Sequence, residues 1–153
     1  MTEPRDTTAD ATFRLMYRSR QQLDPENRTA ELSNLFTQAR SKNKGHRITG
    51  ALLVSGDWFV QVLEGDEAHV RTVFGRIQDD PRNDAVELLS AESVEERVFG
   101  RWSMAKVSVE GDPDIPLIAV VGEISSATGR GTTAQQDRLL EVMREAASHA
   151  PAV

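Results

Sequence analysis

Phe13, Leu15 and Tyr17 alternate with Arg14, Met16 and Arg18, a two-residue period that predicts a strand with one buried face. From Asn27 to Lys42 the spacing changes. Leu32, Leu35, Phe36 and Ala39 fall at i, i+3, i+4 and i+7, so one stripe of a helix faces a core, and Asn43-Lys44-Gly45 supplies a stop. Ile48 to Val54 and Trp58 to Leu63 are apolar on both faces and are joined by Ser55-Gly56-Asp57, which predicts a hairpin of two interior strands. Asp66 is placed to cap a second helix with the stripe Val70, Val73, Phe74 and Ile77, ending before Asp80-Pro81. Val86 to Leu89 and Trp102 to Val109 complete the strands. Ile115 to Val121 fits a strand or a buried helical turn equally well. A last helix, about Thr133 to Ser148, has a capping box in Thr132 with Gln135 and an apolar line through Leu139, Met143 and Ala146.

The order β-α-β-β-α-β-β permits two right-handed crossovers that put both helices on one side of a mixed sheet. The expected fold is an α+β, ferredoxin-like βαββαββ sandwich. It has five strands, two helices on one face and a C-terminal helical extension. The Gly-, Pro- and Ser-rich stretches Glu110 to Pro116 and Ser125 to Thr133 divide the 153 residues into a disordered 1–10, a main domain at 11–110 and an extension at 111–153.

With 18 basic against 24 acidic side chains, the net charge of -6 argues against direct nucleic-acid binding. The polar opening carries no signal sequence, and no run is long and apolar enough to span a membrane, so a cytoplasmic protein is expected. The absence of cysteine excludes disulfides and thiolate sites, while His46, His69 and His149 have no ligand spacing, so no metal is expected.

Several polar residues stand where the pattern demands apolar ones. Gln61 shares a strand face with Phe59 and Leu63, and an unpaired buried amide costs about 1–3 kcal/mol per group, so it needs partners in the core. Backbone groups, a buried water or a side chain all meet that need. Tyr17, the single tyrosine, ends the inward row of the first strand, and if the first and third strands are neighbours the two side chains meet beneath the helices. Asn43 reads first as a left-handed helix end. Arg40, Lys42, Lys44 and Arg47 form a local positive stretch suited to a phosphate or simply to solvent. Trp102 and Met104, two apart, fall on one face of the last strand, which reads as an edge, where two packings compete or the core is merely filled.

In order along the chain, Tyr17-Arg18-Ser19, Asn43, Ile48-Thr49-Gly50, Phe59-Val60-Gln61-Val62-Leu63-Glu64-Gly65, Asp79-Asp80-Pro81-Arg82, Val86-Glu87-Leu88-Leu89, Arg97-Val98-Phe99 and Trp102-Ser103-Met104 resemble the BLUF family of flavin-dependent blue-light sensors. The resemblance covers about Phe13 to Val109. It implies FAD held non-covalently between the two helices, with FMN or riboflavin as other occupants. By that likeness Tyr17 and Gln61 are the photochemical pair, Asn43 bonds the ring, Ser19 lies near it, and Asp80 and Arg82 lie at the ribityl and phosphate end. Trp102 and Met104 relay the signal. In the family's proposed mechanism, excited flavin takes an electron and then a proton from the tyrosine, and the glutamine is left rotated or tautomerised, with a small, reversible red shift. Asn83 departs from the pattern, which more often has histidine there.

The resemblance implies a short stand-alone photoreceptor, not an enzyme. Its signal would run through the last strand and the tail helix to an unidentified protein or to a second copy in a homodimer or higher oligomer. Two other readings remain open on the residues: an acylphosphatase-like hydrolase, for which an anion loop after the first strand is the discriminating feature, and a flavin-free interaction module.

Overall fold

The computed structural model describes residues 12–100, 102–108, 115–120, 123–126 and 133–148. The elements are β1 (Thr12–Gln21), α1 (Arg28–Gly45), β2 (Thr49–Ser55), β3 (Trp58–Gly65), α2 (Glu67–Gln78), β4 (Asn83–Val94), β5 (Ala105–Ser108), β6 (Ile115–Val120), β7 (Glu123–Ser126) and α3 (Ala134–Ser148). The expected segment 1–10 lies outside the described residues.

The sheet runs β4-β1-β3-β2-β5-β6-β7. Its first five strands are the expected mixed sheet, with β1 antiparallel to both β3 and β4, and β5 parallel to β2. Two further strands extend it, β6 parallel to β5 and β7 antiparallel to β6, so the ambiguous run at 115 is a strand and β5 is not an edge. In the β2–β3 hairpin Ser55 pairs with Trp58, and Gly56 takes φ +58° in the two-residue turn, a conformation free of Cβ strain only for glycine.

Strand alternation sends alternate side chains to two separate cores. Phe13, Leu15 and Tyr17 of β1, Leu52 and Val54 of β2, and Phe59 and Leu63 of β3 pack with Leu32 and Phe36 of α1 and Val70 of α2. On the back of the sheet Met16, Ala51, Leu53, Val60 and Val62 pack with Leu140, Met143 and Ala147 of α3. This second core corrects the expectation that β1 has one buried face: Met16 and Arg18 are buried as well, because α3 covers their side.

The α3 register is also one residue off the expected one. Thr133, not Thr132, makes the capping box, its Oγ1 accepting from the Gln136 amide while Gln136 Oε1 accepts from the Thr133 amide, both at 3.0 Å. Gln136, Leu140, Met143 and Ala147 form the buried stripe, leaving Leu139 and Ala146 half-buried. In α1, the helix runs through Gly45 with His46 as its C-cap, and the left-handed residue is Arg47 at φ 57°. Asn43 is therefore inside the last turn, not a left-handed cap. Asp66 does cap α2, its carboxylate accepting from the His69 amide at 3.3 Å.

Candidate functional site: a cleft between two helices and the sheet

The apolar stripes of α1 and α2 do not close completely over the front of the sheet. They leave an open cleft walled by Leu35 and Ala39 of α1 and Val73 and Ile77 of α2, the apolar, concave kind of surface on which small-molecule sites are built. Tyr17, Leu52, Phe59 and Gln61 form its floor. Its remaining lining is polar: Gln38, Lys42, Asn43, Arg76, Asp80, Arg82 and Asn83.

Tyr17 and Gln61 are directly opposite in the β1–β3 ladder, which brings their side chains together on one face. The Tyr17 hydroxyl donates to Gln61 Oε1, and Gln61 Nε2 donates in turn to Met104 Sδ at 3.3 Å. The three side chains are at most 4% exposed, and the Tyr17 ring packs at 5.4 Å, tilted, against Phe74. Burial pushes the Tyr17 phenol well above its ordinary value of 10.0, and the negative charge of Asp80 pushes it the same way. Tyr17 is thus a neutral hydroxyl donor. A β-bulge opens beside it: Met16 pairs with Ser90 and Tyr17 with Leu88, skipping Leu89.

Asn43 donates from Nδ2 to the Ser103 carbonyl at 2.7 Å, tying α1 to the segment that carries Met104. Arg40 reinforces the tie with a 3.0 Å bond to the Met104 carbonyl. At the far end, Arg82 forks onto Asp80, from Nε at 3.0 and 3.1 Å and from Nη2 at 2.6 Å. That hydrogen-bonded guanidinium holds the Asp80 carboxyl below the usual carboxylate range, burial opposing it and Lys42 adding a favourable charge.

Of the residues singled out in the sequence, Tyr17, Asn43, Gln61, Asp80 and Arg82 all line the cleft. Ser19 does not line it, although it is fully buried on the same face of β1 with no partner for its Oγ. Trp102 and Met104 do not share a strand face. Both precede β5, and Met104 joins the cleft-side core while Trp102 packs against the α3-side core, 6.3 Å from the Phe99 ring.

Gln38 and Arg76 were not anticipated, since each is a polar residue of a helix with nothing in its spacing to distinguish it from solvated neighbours. Glu64 was quoted only as part of a motif, yet it is a fully buried carboxylate. It accepts from the Val98 and Phe99 amides at 2.8 Å each and from Arg14 Nε at 3.0 Å. It fixes the loop that leads to Trp102 and Met104. The His46 and His69 rings approach to 5.1 Å, but no group of three or more metal-ligating side chains occurs among the described residues.

The loop after β1 does not provide an anion cradle. Asp24 fills it, its carboxylate accepting from the Glu26 amide at 3.1 Å and from Asn27 Nδ2 at 2.8 Å. The two nearby arginines are engaged elsewhere, Arg18 on Ala146 and Glu87, and Arg20 on Asp84. The feature that would favour a hydrolase is missing from its expected place.

A planar, apolar ring with a hydrogen-bonding edge and an anionic tail suits this cleft. The walls are aliphatic, Lys42, Arg76 and Arg82 outnumber Asp80, and the cleft-lining Asn83 has a buried Oδ1 with no partner. The family model described as "Sensors of blue-light using FAD" matches residues 12–105. The chain belongs to the BLUF family. BLUF relatives include the photoactivated adenylate cyclase subunit alpha of Euglena gracilis, 31% identical over 109 residues, or 71% of this chain and 11% of the relative. The chain thus spans about a tenth of that protein's length.

Among solved BLUF structures, the BlsA photo-activated state superposes with a TM-score of 0.62 at 34% identity, covering 63% of this chain and 69% of the other. The dark-state BLUF protein BlrB gives 0.61 at 36% identity, covering 65% and 74%. Together the family match and these likenesses assign the chain to blue-light sensing through a flavin. No helix among the described residues is long and apolar enough to cross a membrane.

Proposed function

We propose that this chain is a non-enzymatic cytoplasmic photoreceptor in which FAD occupies the cleft and the hydrogen-bonded series Tyr17–Gln61–Met104 converts absorbed light into a change of packing. The series itself is the observation that carries the reading. Flavin, when bound, supplies visible absorption and an excited state able to oxidise a phenol.

Tyr17 is suited to give an electron and the proton on its hydroxyl oxygen, and to recover both. Gln61 is a switch because a primary amide carries an acceptor and a pair of donors on one rotatable group. Turning it by half exchanges Oε1 for Nε2 toward Tyr17, with no backbone movement, and takes the donor away from Met104 Sδ. A thioether is a weak acceptor on a flexible stem, so Met104 is then free to repack. Asn43 holds the ring edge and steadies Ser103, while Arg82, Asp80 and Lys42 face the ribityl and phosphate end.

Downstream, the segment 98–104 is the path to α3: Gln136 Nε2 donates to the Val98 carbonyl at 2.9 Å, and Trp102 joins the core beneath the helix. The output is a changed affinity of α3 and its surroundings for a partner protein or a second copy of the chain.

The test is the absorption spectrum of the purified protein in darkness, after blue light, and again in darkness. A flavin spectrum that shifts red and recovers is expected, and Tyr17→Phe should bind flavin without the shift. A normal light response in that variant would remove Tyr17 from the mechanism. Deletion of 125–153 with unchanged light-dependent association would remove α3 from the output.

A further inference from the structure

Asn83, the first residue of β4, has a half-satisfied amide. Its Nδ2 donates to the carbonyls of Ile77 and Asp80, at 3.0 and 2.9 Å, closing the turn between α2 and β4. These two acceptors fix the orientation of the amide, since the reverse arrangement would set three oxygens against one another. Oδ1 is therefore held on the other side, buried and without a partner, in a residue that is 8% exposed and lines the cleft. A buried carbonyl oxygen without a protein donor is costly, and its place in the cleft lining sets it where a ligand's donor can meet it.

The β1–β4 register narrows the kind of donor. Asn83 lies opposite Gln21, four residues along β1 from Tyr17, roughly 13 Å at about 3.3 Å per residue. This choice rests on the flavin reading above, with the N5 and C4-carbonyl edge of the ring at Gln61, as the resemblance to the BLUF family implies. Oxidised isoalloxazine has a single N–H, at N3, next to that edge. The other donors of a flavin are the hydroxyls of the polyol chain on N10, which leads away from the ring. We propose that Asn83 Oδ1 accepts a hydrogen bond from a ribityl hydroxyl, making Asn83 a residue that selects polyol-bearing flavins.

The test compares riboflavin with lumiflavin, which has the same ring and a methyl group in place of the polyol, by fluorescence titration of the full chain freed of flavin. In Asn83→Ala, riboflavin affinity should fall by about tenfold, the worth of one well-made hydrogen bond, while lumiflavin affinity stays within about twofold of wild type. Equal losses for both ligands would overturn the assignment, leaving Asn83 to hold the turn or to meet N3–H. Unchanged affinity for both would overturn it too. A wild-type chain that binds neither ligand would instead overturn the flavin reading itself, with which this assignment falls.

Discussion

Arg18 donates from Nη1 to the main-chain oxygen of Ala146, 3.0 Å away and 128 residues further along the chain. That carbonyl belongs to the last turn of α3, where four carbonyls lack helical partners and where α3 has no basic residue of its own. A cation from β1 thus meets the negative end of the helix. Arg18 also bonds Glu87 of β4 and stacks over the Trp58 ring at 5.1 Å, and its neighbour Tyr17 points to the opposite face. Replacing Arg18 by Ala should cost about 2 kcal/mol, as for a charge-assisted hydrogen bond. Urea unfolding should show the loss, and amide exchange should quicken in residues 140–148 before it does elsewhere.

Glu64 is a buried carboxylate whose acceptors all face donors: two amides and the Arg14 guanidinium. Glu64→Gln keeps the shape but turns an NH2 group toward a donor. We expect a loss of about 3 kcal/mol, within the range for breaking one side of a buried pair, measured as a lower urea midpoint. The same variant should speed amide exchange at Val98 and Phe99.

At Gly50 the close approach of β2 and β3 leaves no room. A methyl group there would overlap the Val62 carbonyl, part of the backbone and unable to swing aside. Gly50→Ala should be destabilised by more than about 3 kcal/mol, beyond the usual cost of overpacking, and its yield of folded protein on expression should drop accordingly.

Tyr17 gives a pH dependence of defined sign. Its phenol keeps its proton in the fold above the ordinary value of 10.0, whereas the unfolded chain releases it. The stability contributed by the buried neutral phenol is complete below pH 10 and declines as the pH rises further, by about 1.4 kcal/mol per pH unit from this group. Comparing wild type with Tyr17→Phe in denaturant melts above pH 10 isolates it. The variant should show the shallower decline, and parallel curves would contradict the assigned protonation.

The chemistry-bearing residues of the floor were legible because a polar group in an apolar strand row is conspicuous, and a strand neighbour relation then pairs Tyr17 with Gln61. What failed did so for local reasons. The sequence Thr132-Thr133-Ala134-Gln135-Gln136 offers the same spacing in two registers, and only the packing of Leu140, Met143 and Ala147 chooses between them. Trp102 and Met104 obey a two-residue period only if they are in a strand, and β5 begins at Ala105. Arg18 read as the outward member of an alternating row because the helix that covers it lies more than a hundred residues away. Asn43 looked like a helix end because Lys44 and Gly45 follow it, yet the turn continues until Arg47 takes the positive φ.

Every residue that lines the cleft comes from between Tyr17 and Asn83, and the helix that closes the back of the sheet comes from beyond residue 133. The cleft and the helix that covers the opposite side are therefore written in separate stretches of chain that meet across a single sheet. A different C-terminal segment able to cover the same back-face core could take the place of α3 without altering the cleft, so the fold lends itself to modular recombination of one sensor with many outputs.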